Sequence, residues 1–172
     1  MKLSGQQKID APRDFVYAAL NDPDVLKASI PGCKSLTKTS DDGFEAEVGL
    51  KIGPVKATFK GAVTLSNLNP PESYTITGEG KGGAAGHAKG GADVLLKEDG
   101  EGTILEYDVN AQVGGKIAQL GSRLIDSTAK KLSSQFFTKF GKIVEAAQNP
   151  DEDEDGEDAG MWAKLKRKVG AG

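Results

Sequence analysis

The sequence predicts an α+β fold in which one long C-terminal helix covers the apolar face of an antiparallel sheet. Two observations predict it. From Cys33 to Val113 the apolar residues recur every second position, the period of strands with one face in water. From Ile117 to Ala147 they recur three or four apart, the period of an amphipathic helix. A twisted sheet must bury its apolar face, and this helix is the only element long enough to do so.

The elements follow in order. Lys2 to Ile9 reads as a first strand, with Leu3 and Ile9 as its apolar residues. Asp10 offers an N-cap to a short helix over APRDFVYAALND, with Pro12 in its first turn and Phe15, Ala18 and Ala19 as the inward stripe. Pro23 ends that helix and starts a second short one, which Pro31-Gly32 closes. In the strand region Val48, Leu50 and Ile52 alternate with polar neighbours, as do Val55, Ala57, Phe59, Gly61, Val63 and Leu65, and again Leu105, Tyr107, Val109, Ala111 and Val113. Asp41-Asp42-Gly43, Gly53-Pro54, Asn69-Pro70-Pro71 and Asp99-Gly100 mark the turns between strands. The last helix reads as about thirty residues, roughly 45 Å long, loosened locally by Gly121 and Gly141.

A sheet curled around one helix leaves a hollow, and small inner residues enlarge it. Ala57, Gly61, Gly78, Gly80, Ala92, Ala111 and Gly121 are expected to do so. Parity places Leu50, Phe59, Tyr107, Val109, Leu120, Leu124 and Phe136 on the wall of a ligand cavity, with ordinary core as the alternative for each. Tyr107 would offer a hydroxyl. Lys116, Gln119 and Arg123 face outward, either to a partner or to water. The glycine run 77–94 contains G-x-G-x-x-G, but strand-like sequence lies on both sides, where a dinucleotide site needs a helix opening on the motif. It reads as a hairpin with a glycine-rich turn, which would also make a mobile rim beside the hollow.

Composition excludes several classes of function. His87 and Cys33 are the only histidine and cysteine, too few for a metal site, and no G-x-S-x-G accompanies them. No catalytic or metal-ligating constellation emerges, so the chain is expected not to be an enzyme. A lone cysteine forms no internal disulfide and suits a reducing cytoplasm. The N-terminus lacks the apolar stretch of a signal peptide, and no run approaches the length of a membrane span. The net charge of −3 belongs wholly to the segment after Pro150, which holds seven acids and four bases. The remaining chain is balanced, which argues against nucleic acid as the main partner.

The stretches Asn21-Asp22-Pro23 and Ile30-Pro31-Gly32-Cys33, then GPVKATFKGAVTLSNLNPPESYTITGEGKGGAAGHAKGGADV from 53 to 94, and GGKIAQLGSRLID from 114 to 126, closely resemble the CoxG family of carbon monoxide dehydrogenase subunits. The resemblance runs from about Met1 to Ala147. It implies a START-like, helix-grip fold: a curved seven-stranded antiparallel sheet gripping the C-terminal helix, with a cavity for an apolar ligand. It also implies an accessory, non-catalytic role beside a molybdenum-containing carbon monoxide dehydrogenase and a link between that enzyme and the membrane.

The chain thus divides into a ligand-binding domain (1–148), an acidic linker (149–160) and a basic amphipathic tail (161–172). On a helix, Met161, Trp162, Leu165 and Val169 share one face, and Lys164, Lys166, Arg167 and Lys168 fill the rest. Such a tip is expected to fold on contact with an anionic leaflet, each base contributing about 1 kcal/mol. The alternatives are a basic tail without fixed structure and one that docks in a protein groove. The linker spans at most about 40 Å, as a stand-off or as a mask over the basic tip. From these features the expected ligand is an isoprenoid quinone such as menaquinone, with no covalent cofactor. The expected location is cytoplasmic, peripheral on the inner face of the cell membrane. Recruitment of the enzyme without any ligand, and assistance in its maturation, are the competing roles.

Overall fold

The computed structural model describes residues 1–148. The linker 149–160 and the tail 161–172, with all the expected membrane contacts, lie outside the described residues. Strand β1 (Lys2–Ile9) leads into helices α1 (Arg13–Leu20) and α2 (Pro23–Ser29). Then come β2 (Cys33–Ser40), β3 (Gly43–Ile52), β4 (Val55–Asn69), β5 (Ser73–Lys81), β6 (His87–Asp99) and β7 (Gly102–Gly114). A 3-10 turn (Gly83–Ala85) joins β5 to β6, and a second (Lys116–Leu120) joins β7 to α3 (Ser122–Gln148). The seven strands form one sheet in the order β1-β7-β6-β5-β4-β3-β2, antiparallel throughout. The sheet, the turns and the glycine hairpin all fall where the sequence predicts them.

Two boundaries differ from expectation. Asp10 does not cap α1; Pro12 holds the N-cap position with no side-chain bond, and the backbone N–H of Asp10 donates to Glu145 Oε1. Wedged between sheet and α3, α1 also buries more than one stripe: Phe15, Val16, Tyr17, Ala19 and Leu20. For α2 the local chemistry is plain. Asp22 Oδ1 accepts from the N–H groups of Asp24 and Val25 at 2.9 and 3.3 Å, and Pro23 sits where a missing N–H costs nothing.

The second difference is the long helix. It does not run unbroken from Ile117 but starts at Ser122 and spans 27 residues, about 40 Å. Gly121 breaks it rather than loosening it. Its φ of +95° is a conformation that only glycine holds without strain, while its carbonyl still accepts the N–H of Ile125 at 3.2 Å. Gly115, with φ of +79°, bounds the same 3-10 turn at its other side.

The molecule has two unlike ends. At one lie α1, α2, the turns after β2, β4 and β6, and the C-terminal half of α3. Here the core is dry: Ile9, Phe15, Val16, Val25, Phe44, Tyr74, Leu96, Leu105, Phe140, Ile143 and Val144 are all buried. Each large apolar side chain in it contributes about 1.5–3 kcal/mol through burial. Thr103, wholly buried, donates to the Ala11 carbonyl at 2.7 Å and ties β7 to the start of the helical layer. At the other end lie the β3–β4 turn, the two 3-10 turns and the N-terminus of α3. The backbone of α3 packs against α2 and β1 and approaches β3, so it bridges toward both sides of the curled sheet.

Candidate functional site

The register of the sheet places small residues in a block on its inner face. One cross-strand row reads Val63, Gly78, Gly90 and Ala111. The next row toward the open end reads Gly61, Gly80, Ala88 and Val113. Six of these eight are Gly or Ala, so the floor opposite the N-terminal half of α3 carries almost no side-chain volume. Some of these glycines are imposed by the bend of the sheet. A Cβ on Gly90 would stand 2.2 Å from the Asn110 carbonyl oxygen, and one on Gly78 would stand 2.5 Å from Val63 Cγ1. At Gly80 the nearest atom to such a Cβ would be the Lys60 carbonyl oxygen at 3.9 Å, so a Cβ fits there without a clash.

Side chains around this floor are half-buried, unlike those of the dry core. Leu50, Ile52, Val55, Ala57, Phe59, Val109, Val113, Leu124, Leu132 and Phe136 all point to the helix side yet keep part of their surface accessible. A solidly packed interior would seal them. The apolar interior is therefore dry at one end and accessible at the other.

All seven residues expected on the cavity wall are half-buried, but they form two groups. Tyr107 and Phe136 meet only through Phe137. The Tyr107 ring stacks on Phe137 at 5.1 Å, and Phe136 packs edge-on to Phe137 and stacks on Phe140 at 5.6 Å. This aromatic cluster joins the half-buried inner face to the dry core through the buried Phe140. Sequence parity passes over Phe137, because a Phe-Phe doublet on a helix leaves two faces open. The Tyr107 hydroxyl leans over Gly5 of β1, 2.6 Å from where a Cβ would stand. Leu50, Phe59 and Leu124 belong to the open end: Leu124 covers Gly53 of the β3–β4 turn, and the Phe59 ring covers Gly82. Val109 lies between the groups, in line with Ala92 and Ile76. Leu120 ends the second 3-10 turn and is not part of α3. Of the expected small lining residues, Gly121 is exposed and outside the floor.

Little in this lining is chemically reactive. Among the described residues no group of three or more His, Cys, Asp or Glu is placed to hold a metal ion. His87 is exposed at the start of β6. Burial raises the Cys33 thiol above its ordinary pKa, against smaller opposing effects from Lys27 and the Ser35 carbonyl. Burial likewise raises the Tyr74 phenol, with the neighbouring Tyr17 adding to it, and the two rings meet edge-on at 5.5 Å. Both phenols belong to the dry end.

Open grooves also mark the outside of the molecule. One of about 640 Å³ on the outer face of the sheet is lined by Ser4, Gln6, Thr75, Asp93, Glu106 and Asp108 among others, and Tyr107 borders it. Another of about 900 Å³ lies at the dry end, beside Asp10, Glu98, Glu101 and Gln148. Neither is bordered by any other member of the expected wall. The candidate site is the accessible apolar inner face between this floor and the N-terminal half of α3.

Comparisons with known proteins agree with this fold. The CoxG family of carbon monoxide dehydrogenase subunits matches residues 5–144. No curated protein matches the chain. Among solved structures, a conserved protein from Geobacillus kaustophilus is 30% identical with a TM-score of 0.81, over 86% of this chain and 97% of that one. A START superfamily protein from Mycobacterium smegmatis is 13% identical with a TM-score of 0.63, over 84% and 97%. The Zhui aromatase/cyclase from Streptomyces sp. R1128 is 12% identical with a TM-score of 0.59, over 85% and 94%. The latter two share the fold.

Proposed function

Since this chain belongs to the CoxG family of carbon monoxide dehydrogenase subunits, we propose that it is a non-catalytic accessory protein that carries a lipophilic quinone, menaquinone, between such a dehydrogenase and the membrane. One observation carries the reading: an apolar interior dry at one end and accessible at the other, over a floor of Gly and Ala. An apolar lining with few polar groups suits an isoprenoid chain, and the aromatic faces of Tyr107, Phe136 and Phe137 suit a flat ring. A quinone is the natural lipid-soluble acceptor for electrons leaving a redox enzyme. Among the described residues no helix is long and apolar enough to cross a membrane. The proposed location is peripheral, on the inner face of the cell membrane, with Met161, Trp162, Leu165 and Val169 and the four bases of the tail as one contact.

Native mass spectrometry of the full chain from a quinone-making host tests the proposal. The expected result is a bound species with the mass of the host's quinone, which quinone-loaded vesicles restore to stripped protein. Protein that is always empty, and takes up nothing from loaded vesicles, overturns it.

A further inference from the structure

The described chain is electrically neutral as a whole but strongly divided from end to end. Three segments form the mouth of the hollow: 51–56 at the β3–β4 turn, 81–87 between β5 and β6, and 114–126 around the second 3-10 turn and the start of α3. They carry Lys51, Lys56, Lys81, Lys116 and Arg123, all exposed, and a single acid, Asp126. The segments closing the dry end carry Asp10, Asp14, Asp41, Asp42, Glu72, Glu98, Asp99 and Glu101. Three of the bases near it are tied to carboxylates, Lys8 to Asp99, Arg13 to Glu98 and Lys97 to Glu106, while Lys27 of α2, Lys38 of β2 and Lys139 and Lys142 of α3 are in no ion pair among the described residues and leave that end acidic on balance.

A second observation concerns the mouth lysines themselves. Lys51 stands directly opposite Lys56 across the β3–β4 hairpin, and Lys81 stands opposite Lys60 across β4–β5. Like charges facing each other destabilise a strand pair. Lys60 has Glu47 at 3.6 Å, whereas none of the five mouth bases is in an ion pair among the described residues. The N-terminus of α3 adds partial positive charge at the same end. The unneutralised charge encircles the half-buried apolar residues Leu50, Ile52, Val55 and Leu124.

We propose that this mouth is itself a docking surface for an anionic phospholipid bilayer, seating the hollow against the hydrocarbon. The ring of bases meets the headgroups, and the apolar rim faces the acyl chains behind them. The acidic end is repelled by the same surface, so the charge division turns the molecule mouth-down before contact. The chain leaves α3 at Gln148, at the opposite end, and this contact uses residues other than those of the C-terminal tail. Lys116 and Arg123 are thereby assigned to lipid, with Gln119 between them.

Docking by the mouth gives the proposed carrier its route and rests on that reading only for its purpose. The test is co-flotation of the full chain with phosphatidylcholine vesicles, with and without phosphatidylglycerol. A mouth variant replaces Lys51, Lys56, Lys116 and Arg123 with Gln. A charge-matched control replaces Lys27, Lys38, Lys139 and Lys142 with Gln. Each base near an anionic surface strengthens binding about fivefold, so the mouth variant should lose about a hundredfold or more, and the control far less. A fluorophore on Gln119→Cys, in a Cys33→Ser background, should shift to the blue on anionic vesicles, and one on Glu101→Cys should not. Equal loss in both variants overturns the proposal, as does loss only on truncation after Gln148, no binding of anionic vesicles, or a shift at Glu101 alone. The ligand reading fails separately: a quinone-free protein that still docks by its mouth leaves this inference standing. A mouth variant that still retains quinone in detergent leaves the ligand reading standing.

Discussion

Substituting two floor glycines separates empty space from bent backbone. At Gly80 a Cβ meets nothing closer than 3.9 Å and φ lies outside the left-handed region, so Gly80→Leu would send its side chain into the hollow. Two effects then favour the folded state: about 0.5–1 kcal/mol from a less flexible unfolded chain, and up to about 2 from partial burial. The expected result is an unchanged or higher melting temperature together with loss of bound quinone. At Gly90 a Cβ would stand 2.2 Å from the Asn110 carbonyl and 2.7 Å from Ala111 Cα, both on β7. Gly90→Ala must push two strands apart, at a cost of about 1–3 kcal/mol. For a domain of this size that lowers the melting temperature by about 3 °C per kcal/mol. Thermal unfolding followed by circular dichroism, with solvent extraction of quinone from the same samples, reads both arms. The reasoning is refuted if Gly80→Leu melts as low as Gly90→Ala, because the space above Gly80 is then filled, or if it keeps its quinone.

Other perturbations probe the frame around the hollow. Phe140 is wholly buried and stacked on Phe136, so Phe140→Ala should cost about 3–5 kcal/mol, read as a lower urea midpoint. Gly121→Ala meets no atom but holds φ at +95° and ψ at 153°, a region essentially confined to glycine, and should cost about 1–3 kcal/mol through backbone strain alone in the same assay. Asp22→Ala removes the cap of α2 and should cost about 1–2 kcal/mol, with Asn restoring most of it. Burial holds the Tyr74 phenol protonated in the folded protein above its ordinary value of 10.0. The unfolded state therefore releases that proton first, so the contribution of Tyr74 to stability should be constant below pH 10 and fall as pH rises past it. The slope should be shallower in Tyr74→Phe; identical slopes would show that Tyr74 contributes nothing to it.

The content of most elements was legible in the chain alone, because strand and helix periods are local properties; β2, with Leu36 as its one large apolar residue, carries no alternation to read. Alternation along β4 and β7, the glycine hairpin and the stripe through Phe136 and Phe140 were all readable without coordinates. Residues at caps and breaks were less so. Whether Asp10 or Pro12 caps α1, and whether Gly121 loosens or interrupts a helix, depends on where the neighbouring chain must go next. Which inner residues share a row emerged only in three dimensions, since register is a relation between strands. That is how Gly61, Gly78, Gly80 and Gly90 became one floor, and how Phe137 came to join Tyr107 to Phe136. The separation of charge was invisible in the sequence for the same reason. Lys51, Lys81, Lys116 and Arg123 are scattered along the chain, and only antiparallel pairing returns their loops to the same end of the sheet.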